Sequence, residues 1–295
     1  MKEEPLPRMT VPGLQAKKKA GEAIVALTAY DYPTAELLDR AGVDLVLVGD
    51  SLAMVVLGFE NTLPVTLEEM LHHVRPVARA VRRALVVADM PFLSFQVSPL
   101  DTVRNAGRFL KEGGAHAVKV EGATPLRLDA IRALVEAEIP VMGHVGLTPQ
   151  SIHRFGQYKV RGSEAEEAVG IVRGAEALEK AGAFSIVLEC VPREVAAEIT
   201  KRLSIPTIGI GAGPHCDGQI LVFHDLVGSS RGYLPKFVRR YAEIDGVILD
   251  AVGRYSGDVR SGRFPADAES YHLKPEAARL FRDALRAPAK SRKGR

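Results

Sequence analysis

Eight short runs of Val, Ile, Leu and Ala recur along the chain, and they constrain its fold more than any other feature. They lie at residues 23–28, 45–49, 84–88, 117–120, 140–143, 185–188, 206–210 and 220–223. Most of them lack the polar alternation of a half-exposed strand. This pattern predicts strands that are buried on both faces, as in a parallel sheet.

Stretches with helical periodicity separate most of these runs, at residues 33–41, 67–83, 100–112, 126–136, 164–181 and 193–203. Gly42, Gly113 and Gly182 follow or end three of them and suit a left-handed helix C-cap. Eight strands with intervening helices predict an α/β protein, a (βα)8 TIM barrel in a single domain. A doubly wound open sheet is the alternative.

The length of 295 residues fits one such barrel. We expect a flexible N-terminal arm at 1–12, the barrel at 13–272, and a short helix and basic tail at 273–295. The helix is predicted at 276–287 from its amphipathic pattern. A net charge of +3, much of it in the tails, does not suggest nucleic-acid binding.

The two cysteines, Cys190 and Cys216, have no CxxC spacing, which argues against a disulfide framework or a structural zinc site. Residues 1–12 lack the apolar core of a signal peptide. The sequence also has no apolar segment long enough to cross a bilayer. We therefore expect a cytoplasmic protein without a membrane partner.

Ionisable residues terminate five successive apolar runs. Asp50 and Ser51 follow the second run, Asp89 the third, and Lys119 and Glu121 occupy one face of the fourth; His144 and Glu189 follow in the fifth and sixth. A charged residue at one strand end is readily explained by solvation. Five in a row favour an active site, because the carboxyl ends of parallel barrel strands meet at one mouth.

The carboxylates Asp50, Asp89 and Glu121 offer hard oxygen ligands, which favour Mg²⁺ over zinc or copper. A divalent ion of this kind can chelate a 2-oxo acid and stabilise the enolate formed from it. Glu189, on another strand, is the candidate base. Lys119 is expected to neutralise the substrate carboxylate or oxyanion, unless it only pairs with a neighbouring acid. His144 is either a pocket residue or a hydrogen-bonded core histidine.

The glycine-rich run at 208–213, IGIGAG, follows a strand and is a candidate phosphate cradle. It lacks the spacing of a dinucleotide fingerprint and the lysine of a P-loop. Close backbone packing at the top of the barrel is the favoured interpretation.

At these residues the sequence resembles the ketopantoate hydroxymethyltransferase family. The matching blocks include TAYDYPTA at 28–35, LVGDSLAMVVLG at 47–58, TLPVT at 62–66, ADMPF at 88–92, KVEG at 119–122, GHVGLTPQS at 143–151, YKVRG at 158–162, LECVP at 188–192, DGQILV at 217–222 and LPKF at 234–237. The resemblance extends from about Thr10 to His272. It implies a (βα)8 barrel assembled as a homodecamer.

The resemblance also implies an activity in pantothenate biosynthesis: transfer of a hydroxymethyl group from 5,10-methylenetetrahydrofolate to 3-methyl-2-oxobutanoate, giving 2-dehydropantoate through a Mg-stabilised enolate. The family pattern assigns the metal to Asp50, Asp89 and Glu121, and the proton acceptor to Glu189. It assigns substrate contacts to Asp50, Ser51, Asp89 and Lys119, and a pocket position to His144.

Two parts of the chain depart from the family pattern or vary within it. Residues 273–295 extend beyond the usual family end, and GSSRGY at 228–233 is variable, so no folate contacts are assigned there. Two alternatives are a related Mg-dependent, enolate-forming lyase and a catalytically silent oxo-acid-binding protein. Such lyases commonly carry a cysteine-bearing loop near the site. A silent protein would lack Glu189 or one of the metal carboxylates, and this sequence retains all of them.

Overall fold

The computed structural model describes residues 7–230, 232 and 234–286. The chain divides into two compact units, Met1–Ala242 and Glu243–Arg295. In the first unit, eight parallel strands pair in chain order and close into a barrel, with the last strand hydrogen-bonded to the first. The (βα)8 TIM barrel is therefore confirmed, and the open-sheet alternative is wrong.

The strands overlap all eight predicted apolar runs. Their bounds are β1 Ile24–Thr28, β2 Leu45–Val48, β3 Leu85–Asp89, β4 Ala117–Glu121, β5 Val141–Gly146, β6 Ser185–Glu189, β7 Thr207–Ile210 and β8 Gly218–Leu221. The largest differences are at the end of β5, which continues to Gly146, and at the start of β8.

The helices of this unit include all six that periodicity predicts. They are α1 Val11–Ala20, α2 Tyr32–Arg40, α3 Leu52–Val55, α4 Leu67–Ala80, α5 Pro99–Arg108, α6 Pro125–Glu136, α7 Ile152–Phe155, α8 Ala165–Lys180, α9 Arg193–Arg202 and α10 Phe223–Val227. Side chains of Asp31, Thr66 and Ser98 accept hydrogen bonds from N–H groups in the first turns of α2, α4 and α5. These caps satisfy donors that a helix start leaves without a partner.

Two of the three predicted C-cap glycines have left-handed backbone angles: Gly42 has φ 86° and Gly182 has φ 101°. The prediction for Gly113 is wrong, because Gly113 ends a π-helical turn that continues α5, and Gly114 is the left-handed residue. Gly113 has a packing role instead. A Cβ there would lie 2.8 Å from Val74 Cγ1 of α4.

Apolar side chains fill the amino-terminal part of the barrel interior, and every strand contributes to them. This interior cluster includes Leu14, Ile24, Ala26, Leu45, Leu47, Leu85, Val87, Ala117, Met142, Val187, Ile208 and Ile220. Leu14 belongs to α1, which precedes the first strand. Residues 1–6 of the predicted flexible arm lie outside the described residues, whereas Met9 and Val11 pack against the interior cluster.

A second apolar cluster lies between the outer faces of the strands and the surrounding helices. Val46 and Val48 of β2 belong to it, together with Leu38 of α2 and Val74 of α4. Strands β2 to β6 are buried along almost their whole length. Burial on both faces explains why their sequences are nearly continuous apolar runs.

The second unit contains α11 Ile244–Arg260 and α12 Pro275–Arg286. The latter confirms the predicted helix at 276–287 up to residue 286, while residue 287 and the basic tail lie outside the described residues. Among the described helices, none has the length and apolarity required to cross a membrane.

Candidate active site

The strand alternation predicted from the sequence brings ionisable side chains to one mouth of the barrel. In β3, Val87 fills the interior, and Asp89, two residues later, lies on the same face nearer the carboxyl end. The ionisable residues of the next three strands likewise follow an interior apolar residue by two or four positions. Lys119 and Glu121 follow Ala117 in β4, His144 follows Met142 in β5, and Glu189 follows Val187 in β6. All of these except Glu189, which is partly exposed, are buried.

The strand register makes neighbours of these side chains. Asp89 lies opposite Lys119, and Glu121 lies opposite His144. Lys119 Nζ is 2.6 Å from Asp89 Oδ1 and 3.4 Å from His144 Nδ1. Lys119 therefore forms an ion pair with an acid, as one interpretation of the sequence expected, and that ion pair is at the centre of the site.

Asp50 and Ser51 reach the same place from the end of β2. The Asp50 backbone N–H donates a hydrogen bond to Asp89 Oδ2 at 3.1 Å. The Ser51 hydroxyl is 2.8 Å from the hydroxyl of Tyr30, which is fully buried behind it. Burial is the main reason why the pKa of Tyr30 lies above its usual value. Tyr30 therefore stays protonated and holds Ser51 in place.

His144 links two carboxylates across the mouth. Its Nε2 is 3.2 Å from Glu189 Oε2, and its Nδ1 is 3.6 Å from Glu121 Oε1. Burial and the charge of Lys119 lower the pKa of His144, but the two glutamates outweigh them and raise it to about 9. The ring is buried and lies between the carboxylates of Glu121 and Glu189.

Burial and mutual repulsion oppose the ionisation of acids in this cluster. Burial raises the pKa of Asp50 well above its usual value, and the charges of Asp89 and Glu121 raise it further. Burial also raises the pKa of Asp89, against the effect of Lys119. Burial acts in the same direction on Glu121, but bonding to His144 outweighs it, so the pKa of Glu121 is lowered.

Gln150 is the residue that connects these acids, and the sequence analysis did not select it. Its side-chain Nε2 donates to Asp50 Oδ2 at 2.9 Å and to the Met90 carbonyl at 3.0 Å. Its backbone N–H donates to Glu121 Oε2 at 3.2 Å, and its Oε1 accepts from Gln96 Nε2. Its place in the segment that follows β5, four residues beyond Gly146, is a weak sequence signal for it.

The donor set fits a divalent cation in part. Among the described residues, the carboxylates of Asp50, Asp89, Glu121 and Glu189 face the cationic side chains of Lys119 and His144. Ionisation of all four carboxylates at once would leave two negative charges without a counter-charge. Asp89 Oδ1 is charge-paired but accepts no well-directed hydrogen bond. Hard, buried oxygens of this kind suit Mg²⁺.

The three predicted ligands do not surround a common point in the arrangement seen here. Within residues 7–230, 232 and 234–286, no group of three His, Cys, Asp or Glu side chains is placed to hold a metal ion. Asp50 and Asp89 adjoin each other, whereas Glu121 faces His144 and Gln150. A cation held by two carboxylates and completed by water or substrate oxygens is the arrangement that fits these residues.

The IGIGAG segment packs closely, as its favoured interpretation expected. A Cβ at Gly211 would lie 2.7 Å from the Phe237 ring, and one at Gly213 would lie 2.6 Å from Arg193 Cβ. Both positions also have positive φ values. These glycines are needed for backbone conformation and close approach.

The sequence matches the model of a known family and is similar to named proteins. The model of the family described as Ketopantoate hydroxymethyltransferase matches residues 8–267. A protein named 3-methyl-2-oxobutanoate hydroxymethyltransferase from Syntrophomonas wolfei is 52% identical over 91% of this chain and 97% of its own length. One of the same name from Koribacter versatilis is 54% identical over 92% of this chain and 91% of its own.

Solved structures with a similar fold include a phosphonopyruvate hydrolase in complex with oxalate and Mg²⁺. It has a TM-score of 0.59 and 15% identity, and the match covers 94% of this chain and 97% of that one. A 2,3-dimethylmalate lyase has a TM-score of 0.56 and 16% identity, with 94% and 99% covered. At this level of identity the likeness concerns the fold alone.

Proposed function

The chain belongs to the ketopantoate hydroxymethyltransferase family, and on that premise we propose that it transfers a hydroxymethyl group from 5,10-methylenetetrahydrofolate to 3-methyl-2-oxobutanoate, giving 2-dehydropantoate for pantothenate biosynthesis. The observation that carries the proposal is the cluster at the mouth. It combines adjacent buried acids with a partly exposed glutamate, Glu189, whose carboxylate lies 3.2 Å from His144 Nε2.

Asp50 and Asp89 would hold Mg²⁺, with Glu121 beside them. When bound, the ion supplies Lewis-acid polarisation of the ketone, which makes the C3 hydrogen of the oxo acid more acidic. The close packing of buried carboxylates in the cluster supports this assignment. The ion would also separate carboxylates that otherwise repel one another across a buried space.

Lys119 and Ser51 are the groups proposed to bind the oxo acid. The ammonium of Lys119 is buried and charged, because Asp89, Glu121 and Asp50 outweigh the effect of burial on its pKa. It would therefore neutralise the substrate carboxylate. The Ser51 hydroxyl, bonded to Tyr30, offers a fixed polar contact nearby.

Glu189 is the proposed base. The C3–H bond breaks, its proton goes to the Glu189 carboxylate, and its electron pair forms the bond to the methylene carbon of the co-substrate as the bond between that carbon and one folate nitrogen breaks. Water then displaces the second folate nitrogen and supplies the hydroxyl oxygen. One proton of that water and the proton taken up by Glu189 go to the two nitrogens as tetrahydrofolate leaves. The partial exposure of the Glu189 side chain, 18%, suits a group that meets substrate. His144 holds that carboxylate in place.

A product assay tests the function directly. Purified enzyme, 3-methyl-2-oxobutanoate, methylenetetrahydrofolate and Mg²⁺ should give 2-dehydropantoate, and a chelator should stop the reaction. A 2-hydroxy-acid lyase would instead cleave its substrate without folate, and a silent binding protein would give neither product. Failure to form 2-dehydropantoate under these conditions would refute the proposal.

The assembly is proposed from the family as well. We propose a homodecamer, in keeping with the family resemblance. Sedimentation of the purified chain would test it, since a decamer has about ten times the mass of the monomer. A monomer or dimer at working concentration would contradict this part of the proposal.

A further inference from the structure

A cavity of about 400 Å³ lies beside the catalytic cluster, between the loops that follow β4 and β5 and the first half of α8. Glu121 lines it and also belongs to the cluster, so the two spaces share a wall. Glycines such as Gly146, Gly170 and Gly174 line part of the cavity. The proposed oxo-acid contacts, Ser51 and Lys119, do not line it.

Three arginines line this cavity: Arg127, Arg154 and Arg161. Arg161 forms an ion pair with Glu167. Arg127 and Arg154 form no hydrogen bond or ion pair with any described residue. The cavity wall therefore carries two guanidinium groups without an ion-pair partner among the described residues, although the carboxylates of Glu121 and Glu167 also line it.

The guanidinium groups of all three arginines lie over aromatic rings, with Arg154 Cζ 5.7 Å from the centre of the Phe155 ring. Arg127 Cζ lies 5.5 Å from the centre of the Phe95 ring, and Phe95 is fully buried. Arg161 Cζ lies 3.9 Å from the Phe155 ring. Stacking occupies the face of a guanidinium and leaves its N–H edge free to bind an anion. Burial lowers the pKa of Arg127, with the charge of Glu121 acting in the opposite direction.

We infer that this cavity binds the carboxylate-bearing arm of the folate co-substrate, with Arg127 and Arg154 as its anion contacts. This inference rests on the proposed function. A folate is much larger than the oxo acid and carries its carboxylates on a glutamyl group remote from the reacting methylene carbon. An adjoining cationic cavity would hold that group while the methylene carbon faces the cluster.

Carboxylates suit these side chains for a geometric reason. A planar guanidinium donates two parallel N–H bonds to the two oxygens of a carboxylate, and such pairs are among the stronger hydrogen bonds in proteins. Two unpaired arginines match the two carboxylates of a monoglutamyl folate. The N–H edge of Arg127, with its face stacked on Phe95, is already oriented before the ligand arrives.

The test compares R127Q with R132Q. Arg132 lies on the same helix, α6, but is outside the cavity and pairs with Asp129. The KM for methylenetetrahydrofolate should rise about 10- to 100-fold in R127Q, since a charged hydrogen bond is lost, and should not change in R132Q. R127K, which retains charge but not the paired donors, should lie between R127Q and the wild type.

Exchange of the C3 proton of the oxo acid with solvent, measured without folate, separates this inference from the proposed function. If R127Q exchanges at the wild-type rate but has a raised KM for folate, the cavity assignment holds. If both are unchanged, the assignment is overturned and the proposed function stands. If the wild-type enzyme neither exchanges nor forms product, the proposed function itself fails.

A measurement on the unmodified enzyme covers the case in which R127Q does not fold. Methylenetetrahydropteroate has the same reactive ring but no glutamyl carboxylates. It should have a KM about 10- to 100-fold above that of the full folate. Equal KM values for the two compounds would overturn the inference.

Discussion

The side-chain amide of Gln150 donates a hydrogen bond to Asp50 at 2.9 Å, and this contact joins the end of β2 to the loop after β5. The same residue bonds Glu121 through its backbone N–H. The uncharged residue Gln150 therefore orients both Asp50 and Glu121. A variant without the Gln150 amide should therefore hold Asp50 less firmly.

Gln150→Leu should weaken Mg²⁺ binding about 10- to 100-fold, because groups that orient ligating carboxylates typically contribute that much. The metal concentration needed for half-maximal C3 exchange measures the effect. Gln96→Leu removes only the bond to Gln150 Oε1 and should have a smaller effect. Unchanged metal dependence in Gln150→Leu would show that Asp50 needs no such support.

Glu189→Gln should retain the oxo acid but lose C3 proton exchange by about 10²- to 10⁴-fold, the usual contribution of a general base. Proton NMR in deuterated water would follow the exchange directly. Glu194→Gln, at the exposed start of α9, is the matched control. Exchange at the wild-type rate in Glu189→Gln would remove Glu189 from the role of base.

Asp89→Ala should weaken both metal and oxo-acid binding, since the carboxylate contacts Lys119 at 2.6 Å and receives the Asp50 N–H. A loss of about tenfold or more in each is expected. Calorimetric titration with Mg²⁺ and with the oxo acid measures the two separately. Asp101→Ala, on the surface of α5, should bind both normally. A variant with full magnesium dependence would contradict the assignment of Asp89 as a ligand.

Gly146→Ala should destabilise the protein and reduce exchange. Gly146 has φ 98°, and a Cβ there would lie 2.2 Å from the backbone oxygen of Glu189. We expect a loss of about 1–3 kcal/mol in the free energy of unfolding, from strain and from displacement of the Glu189 backbone. Denaturant titration gives this value. Gly107→Ala, where a Cβ meets nothing within 4 Å, should be neutral or stabilising. Equal stability in the two variants would contradict this interpretation.

The stability of the barrel should fall as the pH drops from about 6.5 to about 4, with His116 as one cause. Burial, followed by the nearby charge of Arg8, lowers the pKa of His116 to about 4. The unfolded chain, with an ordinary histidine pKa of about 6.5, therefore takes up a proton that the folded chain does not. Above pH 6.5 this contribution is fully present, and below it the contribution is progressively lost.

The local bonding explains why His116 stays neutral. Its Nδ1 accepts a hydrogen bond from the Val86 N–H at 2.9 Å, and protonation would end that bond. We expect about 1–2 kcal/mol between pH 7 and pH 4.5, after allowing for the partial exposure of the ring. His116→Asn retains an acceptor but does not titrate, so denaturation curves of this variant should show a shallower pH dependence. An identical slope would exclude His116.

The sequence was sufficient to predict the fold because strands buried on both faces have unbroken apolar runs. It also predicted which charged residues would meet, since parallel strands end at one mouth. It did not identify Gln150, because a neutral side chain in a loop has no periodic signal and its partners are up to 100 residues away. The cavity near Arg127 was missed for a similar reason. Whether an arginine has an ion-pair partner depends on packing between helices and loops, which periodicity does not report.

The apolar side chains that fill the amino-terminal half of the barrel interior also constrain the order of events. Reactants and products therefore enter and leave through the same opening, the mouth at the carboxyl ends of the strands. We expect the oxo acid, bound through the buried Lys119, to enter first and leave last. The folate, with its arm in the adjoining cavity, would then bind second and depart first, which steady-state kinetics would register as an ordered sequential pattern.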